Sequence, residues 1–401
     1  MPKFLVSSAA LLRCLKEVAP IVKRSPLLPI TANVLLSVSG NTLSVVASDL
    51  ENTITTTLPV EFLSGDWATC PPIKPLMEVL KNLPDQPVTL IFDAETDKLT
   101  LNAGVEGEHE TAYGASYTFT CEKAADFPRT PNVPTGVEIT FPGHLLRTAF
   151  GYTAELVSND ELRPAMMCVY IDASEKGIDF IATDGHRLCI YEVQAGKEPG
   201  YTFDGKARKM LLLPRQSVKA LRHLIKNDDT VTVTSSLLTS SYIGFQVGTY
   251  GPEVVVRPVD ERYPNAYAVL PTEFPGGTLT LARPAARTML NRMLPFCGNS
   301  MSKIELHFSG TSGQARAEDA DNDLSAREPL PGTFAPSDDA STVKAIGFNV
   351  RFLAHLLMLL PGPRVRLSFT APIKGCMLTA DGVEGLRYVL MPVAIFPPDN
   401  L

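Results

Sequence analysis

The sequence predicts an α+β protein of three repeated domains, each combining antiparallel sheets with two helices. The first observation behind this is a recurring turn. "SVVASDLENTI" (44–54), "DFIATDGHRLCI" (179–190) and "ARAEDADNDLSA" (315–326) share an apolar strand-like approach, then Ala, a polar residue and Asp. The aspartates Asp49, Asp184 and Asp319 stand 135 residues apart, which makes the 401-residue chain close to three copies of one unit. The second is size, since a unit of about 130 residues matches an ordinary domain with its own core. The third is order: each copy runs through a short strand, a helix, alternating strands, a second helix and further strands.

The opening "MPKFLVSSAALLRCLKEV" illustrates the pattern. Lys3 before an apolar stretch mimics a leader peptide, but Arg13, Lys16 and Glu17 interrupt it, and Leu11, Leu12, Leu15 and Val18 recur at helical spacing. First helices are predicted over 8–22, 142–157 and 282–297, and second helices over 74–83, 214–227 and 349–360. Pro75, Pro142, Pro214 and Pro284 lie near helix starts, where a missing N–H is harmless. "VLLSVSGNTLSVVAS" and "MMCVYIDASEKGIDFIAT" alternate around the turn residues "SGN" and "SEKG" and read as hairpins. The Pro/Gly-rich stretches "FPRTPNVPTG" (127–136) and "VLPTEFPGG" (269–277) mark the seams, giving domains over 1–132, 133–273 and 274–401. A third, "REPLPGTFAPSDDAST" (327–342), reads as a mobile surface loop.

Composition narrows the class. With 45% apolar and 20% charged residues the chain is an ordinary soluble protein, and no run is long enough to span a membrane. The seven cysteines (14, 70, 121, 168, 189, 297, 376) are scattered, odd in number and free of C-x-x-C pairs. That argues for the reducing cytoplasm and against structural zinc, and no cofactor is expected. Overall the chain is acidic, 36 basic against 43 acidic residues, which alone disfavours a nucleic-acid partner. Yet the six helical segments, the first extended to Arg24, hold fifteen Lys or Arg and only Glu17, Glu78 and Glu155 as acids. Glu is as good a helix former as Lys, so propensity does not explain its scarcity there. Helices sharing one face would give a surface that holds DNA or RNA through phosphate contacts while the remainder repels it.

Five motifs then carry a family resemblance: "LLPITANVLLSV", "ATDGHRL", "DERYPNAYAVLP", "GFNVRFLAHLL" and "YVLMPV". In this order, over essentially the whole chain, they resemble the β subunit of bacterial DNA polymerase III, the sliding clamp. The resemblance implies a head-to-tail homodimer closed into a ring, with sheets outside and twelve helices lining a hole around duplex DNA. Twelve helices about 10 Å wide give a perimeter of about 120 Å and a mean diameter of about 38 Å, enough for a hydrated duplex.

The resemblance also implies a peptide pocket for the replicative polymerase, the clamp loader and repair proteins. Its walls would include Met166, Thr183, Gly185, His186, Arg187 and Leu188, then Pro264, Val269, Asn349 and Phe352. Ile373, Gly375, Val389, Leu390, Met391, Pro392 and Val393 would complete it. Apolar walls with a few polar fixings suit a peptide, and Met adapts to several partners. The DNA contacts carried over are Arg24 and Lys74, with Arg215, Lys219 and Arg222 added from the helix charge. Three departures stand out: Pro164-Ala165 replaces a tyrosine pair that contacts DNA in relatives, Ala394 replaces a basic residue, and the chain continues as "IFPPDNL".

Two other readings compete. Asp184, His186 and Arg187 would suit proton transfer, but no Ser or Cys nucleophile motif, Walker loop or metal-ligand spacing accompanies them. Recurrence at Asp49 and Asp319 favours a turn in which the aspartate accepts backbone N–H bonds. A repeat scaffold that never meets DNA is the second, and the helix charge speaks against it.

Overall fold

The structure, a computed structural model, describes residues 2–23, 25–104, 114–133, 136–204, 209–235, 242–298, 302–337 and 342–395, without the side chains of 62–64. Six α-helices form on the six predicted segments. They are α1 Ser8–Val18, α2 Ile73–Lys81, α3 Gly143–Thr153, α4 Arg215–Leu224, α5 Arg283–Met293 and α6 Val350–Leu359. Both α1 and α5 are shorter than predicted because a 3-10 turn takes over, Ala19–Ile21 and Leu294–Phe296, each with a proline that cannot supply the next helical N–H.

Each helix buries one stripe; in α1 it is Leu11, Cys14, Leu15 and Val18, in α6 Val350, Leu353, Leu356 and Leu357. Ser7 Oγ caps α1 by accepting from the Ala10 amide at 3.2 Å. At the other ends arginines do the capping. Arg147 of α3 donates to the carbonyls of Arg222 (3.0 Å) and Ile225 at the end of α4, and Arg283 of α5 donates to Gly362 past the end of α6. A guanidinium there satisfies orphan carbonyls and opposes the helix dipole.

The chain forms two compact units, each with two antiparallel sheets. One comprises Met1–Arg147, Pro199–Lys206 and Gln216–Pro258. Its ten-stranded sheet sets Leu35–Ser39, Thr42–Ser48 and Asn52–Pro59 beside Glu253–Val256, Ile243–Val247 and Thr230–Ser235, with Asn52 opposite Val256. The other comprises Thr148–Glu198, Ala207–Arg215 and Val259–Leu401. Its nine-stranded sheet sets Cys168–Ser174, Gly177–Thr183 and Arg187–Gln194 beside Leu386–Leu390, Cys376–Ala380 and Arg364–Phe369, with Arg187 opposite Leu390. Both expected hairpins form, through Ser39↔Thr42 and Ser174↔Gly177.

The loop expected over 327–342 is corrected in part. Leu324–Pro329 pairs with Ser312–Asp319, and Gly332–Ala335 pairs with Gly277–Ala282. Phe334 fixes the stretch: its ring is buried and stacks on Phe308 with centroids 4.1 Å apart. That burial outweighs the turn-like composition around it. Residues 338–341 and the tail 396–401 lie outside the described residues. All seven cysteines are free and buried, and no helix among the described residues is long and apolar enough to cross a membrane.

Candidate peptide-binding site

The site starts from the turn after the strand Gly177–Thr183. Asp184 Oδ1 accepts from the amides of His186 at 2.9 Å and Arg187 at 2.6 Å, and Thr183 Oγ1 accepts from the Gly185 amide at 3.1 Å. Gly185 has φ +87°, a left-handed conformation that glycine adopts without strain. Asp184 also grips Arg187 through Oδ2, with Nε at 2.8 Å and Nη2 at 2.6 Å. The acid is therefore committed to the turn and to one arginine.

Around this turn lies a cleft of about 250 Å³. Met166, Thr183, Gly185, His186, Arg187, Leu188, Pro264, Val269, Val389 and Met391 line it, drawn from four separate stretches of chain. Asn265 and Ala266 line it as well and were passed over in the sequence, although they sit in the same short 3-10 turn region as Pro264 and Val269. Beneath the floor, Leu188 and Val389 belong to a buried cluster with Ala165, Cys168, Ile181, Ile190, Leu212, Tyr263 and Ala266. Pro164 and Ala165, at the tyrosine positions, open the 3-10 turn Pro164–Met167 that brings Met166 to the wall.

The other carried-over residues lie elsewhere. Leu390 is fully buried and points to the core, because side chains alternate along Leu386–Leu390 and Val389 and Met391 take the cleft side. Gly375 backs the wall: a Cβ there would stand 2.7 Å from Val389 Cγ1 and 3.4 Å from Met391 Sδ. Asn349 caps α6, accepting from the amides of Arg351 at 3.0 Å and Phe352 at 3.2 Å. Phe352 is a support, with the Arg187 guanidinium 4.5 Å from its ring centroid and His186 stacked at 5.7 Å. Beyond Pro392, the Val393 amide donates to the Gly347 carbonyl at 2.8 Å, and Ile373 is 81% exposed on a loop that does not line the cleft.

Among the cationic positions, Arg24 lies outside the described residues, while Lys74, Lys219 and Arg222 are exposed. Arg215 is half-buried and already paired with Glu155 and Asn159. Sequence distance hides that pairing, because Glu155 is 60 positions away. A larger cleft, about 710 Å³, is lined by charges of both signs, with Asp172, Asp179, Glu192, Glu198 and Glu384 beside Lys176 and Lys197.

Comparison with known proteins places this geometry in a family. Residues 2–131 match the N-terminal domain of the DNA polymerase III beta subunit and residues 140–265 match its central domain. A beta sliding clamp of Pseudomonas putida is 25% identical over 98% of this chain and 100% of its own, and that of Escherichia coli K12 is 23% identical over the same shares. Among solved structures, a sliding clamp from Pseudomonas aeruginosa bound to griselimycin matches with a TM-score of 0.85 at 23% identity, over 98% of this chain and 100% of that one. The beta subunit from Thermotoga maritima matches with a TM-score of 0.85 at 19% identity, over 99% and 100%. With two domains matched in order and relatives alike from end to end, this chain belongs to the family of the DNA polymerase III beta subunit.

Proposed function

We propose that the chain is a DNA polymerase processivity factor, a head-to-tail homodimer of three-domain chains (1–132, 133–273 and 274–401) closed around duplex DNA. It holds the polymerase, clamp loader and repair proteins through the cleft at Gly185–Leu188 and Met391, catalyses no reaction and works in the cytoplasm. The carrying observation is that ten residues from four separate stretches converge on one apolar cleft in a chain of this family. Exposed Lys74, Lys219 and Arg222 supply phosphate contacts that read no sequence. A topological link explains how weak single contacts suffice.

The test is retention on DNA. Loaded by its clamp loader onto a closed circle, the protein should stay bound through gel filtration and run off once the circle is cut. Equal loss from circle and linear DNA would overturn the reading. Sedimentation should give a dimer of the 43.5 kDa chain. Changing Lys219 and Arg222 to Glu should weaken DNA association and flatten its salt dependence by roughly two counterions.

A further inference from the structure

Arg187 is held on three sides. Asp184 binds Nε and Nη2, Phe352 lies against the guanidinium, and Nη1 stands 2.6 Å from Nδ1 of His355 on α6. Arginine has no acceptor, so Nδ1 must accept and His355 must be neutral, with its proton on Nε2. We infer that neutral His355 is a positioning residue of the cleft: it ties the Arg187 guanidinium to α6 beneath Phe352, which sets the wall that Arg187 and His186 present to a ligand. The inference rests on the peptide-capture reading above.

The equivalent turn in the other unit is tied in the same way. There Asn52, like Arg187, bonds back to its turn aspartate through Nδ2, and its Oδ1 accepts from Ser217 Oγ of α4. A tether from this position to a neighbouring helix is thus shared by the first and second copies of the turn. Only His355 makes it titratable.

His355 is half-buried, and the groups facing it come from several elements. Burial and then Arg187 hold its pKa below the ordinary 6.5, Arg215 adds to this, and Glu155 and Asp184 oppose it. At neutral pH the acceptor is therefore available. As pH falls through the depressed pKa, Nδ1 gains a proton and faces Nη1 donor to donor. Arg187 then loses its tether and the cleft its fixed wall, so affinity declines on the acid side only.

The experiment is calorimetric titration of the full-length protein with griselimycin at about pH 8 and at about pH 5, the acid point lying well below the ordinary histidine range because the pKa of His355 is depressed. Wild-type protein should bind more weakly at the lower pH. His355→Leu should bind at least about fivefold more weakly at the higher pH, as expected when a charge-assisted bond that orients a wall is lost. His355→Asn, whose Oδ1 can replace Nδ1 but does not titrate, should restore binding and abolish the pH step. A pH step surviving in His355→Asn would have another origin and overturn the inference. Unweakened binding by folded His355→Leu would also overturn it; should that variant fail to fold, the pH step in His355→Asn decides. No binding by wild-type protein at either pH would sink the peptide-capture reading itself, a failure distinct from the others because in those the wild type binds.

Discussion

In the ten-stranded sheet the strand Asn52–Pro59 lies beside Glu253–Val256, and in the nine-stranded sheet Arg187–Gln194 lies beside Leu386–Leu390. The backbone bonds correspond one to one. Asp49 Oδ1 accepts from the amides of Glu51 (3.1 Å) and Asn52 (2.7 Å), as Asp184 does from His186 and Arg187. Ser48 Oγ accepts from Leu50 as Thr183 Oγ1 does from Gly185. The Arg257 amide donates to the Glu51 carbonyl at 2.8 Å, and the Met391 amide to His186 at 2.9 Å. Only the side chains differ: Glu51 and Arg257 form an ion pair at 3.7 Å, whereas His186 and Met391 line an apolar cleft. One scaffold is therefore finished as a charged surface in one place and as an apolar cleft in the other.

Exchanging that pair is the strongest way to break the comparison. His186→Glu with Met391→Arg should recreate the ion pair beside the nine-stranded sheet and weaken griselimycin binding by more than about a hundredfold, since anchors of this kind carry most of a site's affinity. Both positions are exposed, so thermal unfolding should stay near that of the wild type. Calorimetry on the double variant reads the first effect and differential scanning the second.

The two faces of the last strand sharpen it next. Leu390→Ala should cost about 2–5 kcal/mol in urea unfolding, because the side chain is fully buried away from the cleft. Met391→Ala, at 42% exposure, should cost far less stability and show its effect in binding. Equal stability losses would mean that the strand's alternation has been misread.

Smaller effects come from the turn residue itself. Gly185→Leu copies Leu50, which holds φ +76° in the first turn, so the fold should survive with a loss of about 1–2 kcal/mol from left-handed strain. Binding should weaken, because a side chain there grows toward Met166, whose Cε is 3.7 Å from a Cβ at that position. The reverse change, Leu50→Gly, should shift stability by no more than about 1 kcal/mol, relief of strain being offset by unfolded-state entropy. It should create no new binding, since Glu51 and Arg257 remain; a second binding event in titration would show that the glycine alone makes the site.

Much of this was legible in the sequence wherever the signal is local. The helices announce themselves through 3.6-residue periodicity, the hairpins through alternation, and the aspartate turn through its recurrence, with amides bonded to Asp49 and Asp184 and the Asn322 side chain bonded to Asp319. What stayed hidden depends on partners distant in the chain. Arg215 reads as an open cation until Glu155 is beside it, and Gly332–Ala335 reads as loop until Phe334 finds Phe308 and Phe369. His355 carries no motif, and its role comes only from Arg187, 168 positions away. Leu390 is different: the alternation that turns it inward was already in "YVLMPV", but family likeness marks a segment without saying which face each residue takes.

The most direct measurement is the stoichiometry of griselimycin binding to the wild-type chain, read by titration calorimetry with tight-binding protein concentrations. One ligand per chain, bound at the cleft lined by His186 and Met391 and lost in the His186→Glu, Met391→Arg variant, is the result predicted by one scaffold finished two ways. Two ligands per chain, or one that binds the double variant as well as the wild type, would contradict it.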